Sequence, residues 1–122
     1  MRRESPLLAG LLVAAGLALS AAASTVELYG RPLRGLSAVP VATVLASPER
    51  YADRSIRVAG TGRKGGDGLE IVDGDAALAL APSGFSLPDS ALGLGWTAEG
   101  KLRVGGKGSP PVLVASGVEV AR

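Results

Sequence analysis

The chain has 122 residues, 47% hydrophobic and 20% charged, a balance that excludes a disordered polypeptide and supplies one modest core. It contains no cysteine and no histidine, which excludes disulfides, thiolate nucleophiles, Cys-ligated metals and the usual acid/base group of neutral pH. The formal charge of +2 gives no reason to expect nucleic acid as a partner, because polyanion binding draws on many clustered cations.

The N-terminus has the three parts of a secretory signal: basic Arg2 and Arg3, an apolar run from Leu7 to Leu19, and small Ala21, Ala22 and Ala23 before Ser24. The competing reading is a retained anchor, but Leu7 to Ala23 is 17 residues rich in Ala and Gly, the bottom of the spanning range. Glu4, Ser5 and Pro6 follow the arginine pair where a twin-arginine signal carries apolar residues, so the general export route is expected. Residues 1–23 are therefore read as a signal peptide, and the mature protein as exported, periplasmic or secreted, with no stable membrane insertion after cleavage. Loss of Arg2, Arg3 and Glu4 leaves 11 basic and 10 acidic residues.

Residues 24–39 mix short apolar steps with Gly30, Pro32, Arg34 and Gly35 and read as an extended arm lying along the domain that follows. Pro40 suits a first helical position, and Val41, Val44 and Leu45 then share a face of a short helix. Ser47 before Pro48 and Glu49 reads as a second N-cap opening a turn through Tyr51, the residue expected to wedge under the core.

From Ser55 the period becomes two. Ile56 and Val58 alternate with Arg57 and Ala59, and Gly60 and Gly62 permit the sharp bend a small barrel needs in its long first strand. Leu69 and Ile71 share one face of a second strand and Leu78 and Leu80 one face of a third, joined by the tight hairpin signal Asp73-Gly74-Asp75. Leu87 to Leu92 make one helical turn stopped by Gly93. Trp96, Ala98, Leu102 and Val104 alternate with Thr97, Glu99, Lys101 and Arg103 in the clearest strand, whose polar residues are expected to face water throughout. Gly100 lies on its apolar face, at a corner or close approach. A last strand from Val112 to Val120 places Val112, Val114, Val118 and Val120 on one side. The expected fold is all-β: a five-stranded OB-like barrel over residues 40–122, with a short helix before strand one and a helical turn between strands three and four.

The run Val44-Leu45-Ala46-Ser47-Pro48-Glu49-Arg50-Tyr51-Ala52-Asp53-Arg54-Ser55-Ile56-Arg57-Val58-Ala59-Gly60-Thr61 resembles the entry to the first strand in small exported OB-fold domains. Phe85-Ser86-Leu87-Pro88 and Ala98-Glu99-Gly100 extend the likeness over roughly Val41 to Val104. Two groups share that look: secreted bacterial OB-fold proteins of unknown function, and, more distantly, the periplasmic haem chaperone of cytochrome c maturation. The first group carries cysteines in a Gly-Cys-Trp segment where this chain has Arg63-Lys64-Gly65-Gly66-Asp67-Gly68, and the chaperone uses a histidine that this chain lacks. The resemblance thus implies a fold and a compartment, and carries no metal or haem chemistry to any residue.

Other motifs fail on context. Gly60-Thr61-Gly62-Arg63-Lys64-Gly65 fits G-x-G-x-x-G, but a strand follows rather than a helix whose N-terminus would meet a pyrophosphate. Gly105-Gly106-Lys107-Gly108-Ser109 lacks the spacing of a phosphate loop. Turn chemistry accounts for Asp73 and Asp75, so neither metal nor cofactor is assigned.

OB folds bind ligands across the outer face of strands two and three, flanked by the loops between strands one and two and between four and five. That face would present Glu70, Val72, Ala77 and Ala79, a small greasy patch with no aromatic platform for bases. Arg63, Lys64 and Lys107 would form a weak cationic rim, which makes Arg63, Lys64, Val72, Ala77, Ala79 and Lys107 the candidate ligand-binding residues. The leading expectation is a noncatalytic exported binding or interaction module for an envelope protein or small ligand, with ligand and oligomeric state left open. An oligonucleotide or other polyanion binder, and a degenerate metal- or haem-handling family member, are the alternatives. An enzyme without histidine would need two carboxylates converging in a cleft, and the acidic residues fall mostly in turns or on a polar strand face.

Overall fold

A computed structural model describes residues 25–106 and 108–122. The signal-peptide reading of residues 1–23 lies outside them, as does the position of Lys107. No helix among the described residues is long and apolar enough to cross a membrane.

Among the described residues six strands form, with two single turns of 3-10 helix and one short α-helix: β1 (Val26–Gly30), α1 (Val41–Ala46), β2 (Ser55–Gly65), β3 (Gly68–Asp73), β4 (Ala76–Pro82), β5 (Gly95–Arg103) and β6 (Val112–Ala121). Five of them close a barrel-like ring. β2 pairs antiparallel with β3 and with β5, β3 with β4 and β5 with β6, and the parallel β4–β6 pairing completes the circuit. The sixth strand, β1, comes from the N-terminal arm and pairs antiparallel with the second half of β6.

β2 serves two neighbours because it bends: Ser55 to Thr61 face β5, and Thr61 to Gly65 face β3. The bend needs glycine at position 62 for space, since a Cβ there would lie 1.9 Å from the indole of Trp96. That indole is 1% exposed, and its Nε1 donates to the Ala91 carbonyl at 2.9 Å. Burying so large a ring with its one polar atom satisfied makes it the centre of the core. Ile56, Val58, Ile71, Leu78, Leu80, Leu102, Leu113, Val118 and Val120 surround it, with Val41 and Val44 of α1 fully buried alongside. Leu45 and Tyr51 are half-buried against the same cluster.

The central hairpin forms as its alternation requires. Leu69 pairs with Leu80 and Ile71 with Leu78, all four on the inner face. The connection is Gly74-Asp75, with Gly74 at φ +65, as a two-residue turn with glycine first demands. Asp73 does more than turn: its Oδ2 accepts from the Val41 amide at 3.3 Å and ties the start of α1 to this hairpin. The helical turn expected between the third and fourth ring strands is the 3-10 segment Asp89–Ala91, and Gly93 follows it at φ +85.

Three local expectations are corrected. Ser47 precedes the 3-10 turn Pro48–Arg50, but its side chain makes no capping hydrogen bond. In β6 the valines do not share one side. Glu99 pairs with Gly117 and Gly100 with Ala115, so Ser116 is an extra residue without a partner on β5. This β-bulge inverts the alternation: Leu113 and Ala115 point inward before it, Val118 and Val120 after it, while Val112 and Val114 lie half-buried outside. Finally, the outer face of β5 is not wet throughout, because Glu99 is only 3% exposed.

Candidate functional site

Burial of Glu99 traces to the arm. After β1 the chain crosses β6, where the Arg31 amide donates to the Ser116 carbonyl at 2.8 Å, and then folds over the outer face of β5. There the Glu99 carboxylate accepts from the Arg34 amide at 2.6 Å, the Gly35 amide at 3.1 Å and the Leu36 amide at 2.9 Å. Three consecutive N–H groups wrapped around one anion form a nest, and Gly35 reaches the required left-handed conformation at φ +82. The fourth donor is Arg57 Nε at 2.9 Å, from the residue directly opposite Glu99 on β2. Burial pushes the Glu99 carboxyl up. The Arg34 and Leu36 amides and the Arg57 guanidinium more than offset this and hold it below the ordinary glutamate value.

Pinned in this way, the arm roofs a groove of about 540 Å³. Arg31, Pro32 and Arg34 line it from the arm, Ser55 from β2, Ser83 from just beyond β4, Gly100 and Lys101 from β5, and Val114 and Ser116 from β6. Glycine at position 100 lets β5 and β6 approach closely beside the groove, since a Cβ there would lie 2.1 Å from the Val114 carbonyl oxygen. The bulge turns Ser116 to the outside, where its hydroxyl donates to the Glu99 carbonyl at 3.2 Å. Three cations line the groove and no carboxylate does. Among the described residues, none of those three cations forms an ion pair. Walls of one sign around a low-dielectric cleft concentrate counter-ions.

Five of the six residues singled out from sequence fall elsewhere. The strand register places Thr61, Val72 and Ala77 in one cross-strand row and Arg63, Glu70 and Ala79 in the next. Arg63 and Lys64 are exposed at the end of β2, whereas Val72, Ala77 and Ala79 are half-buried. The Arg63 guanidinium is paired with Glu70 on the same face, which cancels one of the two rim charges described. Local sequence does not reveal the arm groove, because it is assembled from the arm, three strands and the segment after β4, all distant in sequence. The signal available was the spacing of Arg31 and Arg34 in a segment rich in turns, which by itself says nothing about where the arm docks.

Among the described residues, no three His, Cys, Asp or Glu side chains come together as metal ligands would. No protein-family model matches the chain, and no curated protein matches it. One solved structure, described as a "putative aspartyl-tRNA synthetase" from Leishmania major Friedlin, superposes with a TM-score of 0.49 and 15% identity. The match covers 73% of this chain and 21% of that one, so the chain spans about a fifth of its length, and a likeness at that score carries no argument.

Proposed function

We propose that the protein is an exported, noncatalytic binding module on an OB-type barrel, and that it takes a small ligand in the groove beneath its N-terminal arm. The ring's connectivity supports the OB assignment: the first ring strand lies between the second and the fourth, and the third runs parallel beside the fifth. The signal-like N-terminus and the resemblance of Val44 to Thr61 support export. Glu99 is the one buried charged side chain among the described residues, and it is consumed in holding the arm, which favours binding over carboxylate-pair catalysis.

The observation that carries the reading is the groove itself, a concave site of ligand size lined by three unpaired cations. On this reading the binding surface is the outer side of β5 and β6 rather than the β3–β4 outer face. The test is ligand capture from an envelope extract, read by native mass spectrometry, with wild type and Val114→Trp in parallel. Val114 forms the groove floor, and an indole there fills the space without entering the core. A small molecule retained by wild type and lost in the variant supports the reading; equal retention by both, or none by either, overturns it.

A further inference from the structure

We propose that the groove selects small organic phosphates, in particular phosphomonoesters, rather than ligands at large; this rests on the reading of the groove as the binding site. The argument begins with charge. Arg31, Arg34 and Lys101 approach one cleft from two separate elements, the arm and β5, and none is neutralised by a partner among the described residues. Glu99, whose carboxylate takes the Arg34 amide, has its oxygens committed to the Arg34, Gly35 and Leu36 amides and to Arg57. Like charges gathered without a counter-charge repel one another, and a bound dianion removes that cost.

Donor chemistry narrows the class. Guanidinium groups present planar, paired N–H donors that match the oxygens of phosphate, and an ammonium adds a third charge as a point donor. Ser55 and Ser83 line the same space, and neither hydroxyl takes part in a side-chain hydrogen bond among the described residues. Two arginines, one lysine and two hydroxyls exceed what a monocarboxylate uses and suit a tetrahedral dianion.

Size and floor supply the rest. A volume of about 540 Å³ is far more than one phosphate group needs and lies within the range of small-ligand sites. The rest of the lining is Pro32, Gly100, Val114 and Ser116, largely apolar surface against which a small hydrophobic group beside the anion can pack. The site therefore reads as a phosphate cradle with an apolar annex.

Amide shift mapping by NMR tests this with three probes: phenyl phosphate, inorganic phosphate and neutral benzyl alcohol. The expected result is saturable movement of the Arg34, Gly100 and Lys101 amides with phenyl phosphate, at least fivefold tighter than with inorganic phosphate. Arg31→Ala and Lys101→Ala each weaken it fivefold or more, while Lys64→Ala, on the distant hairpin, changes it less than twofold. All three positions are exposed, and unchanged Trp96 fluorescence verifies that the variants fold. Equal affinity for inorganic phosphate overturns the ester assignment. Benzyl alcohol binding as well as phenyl phosphate overturns the anion assignment while leaving the groove a binding site. No shift with any probe, or a loss with Lys64→Ala equal to that with Arg31→Ala, overturns the proposal; the Val114→Trp capture experiment then judges the groove separately.

Discussion

Replacing Glu99 by glutamine preserves the shape of the side chain and removes its charge. In the wild type one carboxylate oxygen takes the Arg34 amide at 2.6 Å, and the other takes the Gly35 and Leu36 amides and Arg57 Nε at 2.9 to 3.1 Å. A glutamine amide group must set its NH2 against at least one of these four donors. That loses one charge-assisted bond, worth about 1.5–3 kcal/mol, and weakens the others, since charge-assisted bonds are roughly twice as strong as neutral ones. The expected loss is roughly 3 kcal/mol at pH 7, which in a domain of this size lowers the melting temperature by about 10–20 °C. Urea unfolding followed by the emission of Trp96, the sole tryptophan, measures it. The pH dependence has a definite sign. The folded carboxyl titrates below its ordinary value of 4.5, so its stabilisation is present above that pH and is lost as the pH falls through the folded value. The gap between wild type and variant therefore narrows below about pH 4.5, because a protonated Glu99 resembles the glutamine. Equal unfolding midpoints at pH 7, or a gap that stays constant down to pH 3, would refute the account of the nest.

Gly62→Ala drives a methyl into the Trp96 ring and costs about 1–3 kcal/mol or more by overpacking, seen as a lower urea midpoint with red-shifted emission; an unchanged midpoint contradicts the packing described. Arg63→Ala removes an ion pair whose arginine side chain is 58% exposed, so unfolding experiments should register less than about 1 kcal/mol, and a larger loss would show that the pair is more than a surface contact. Expression of the full chain in a bacterial host with an export pathway yields a mature protein beginning at Ser24 by intact-mass measurement. Recovery of the full-length mass from the membrane fraction would instead mark the first segment as an anchor.

Much of the fold is legible in side-chain alternation. The hairpin from Leu69 to Leu80 keeps its four leucine and isoleucine side chains on one face because a two-residue turn fixes register and strand periodicity does the rest. Trp96, Ala98 and Leu102 are core for the same reason. Alternation also assigns Glu99 correctly to the outer face of β5, and it places Arg57 opposite once β2 and β5 are paired.

Tertiary structure alone decides what covers that outer face. Periodicity is a property of neighbours along the chain, whereas the arm reaches Glu99 from more than 60 residues away, and no local pattern encodes that encounter. The same holds at Ser116: one unpartnered residue inverts the alternation of β6 and frees Val114 for the groove, although the valines either side read as a single stripe. A bulge is a negotiation between two strands, so its position appears only when both are in place. Sequence by itself therefore determined a small β domain and its inward face, and the docking of the arm determined where that domain has a groove.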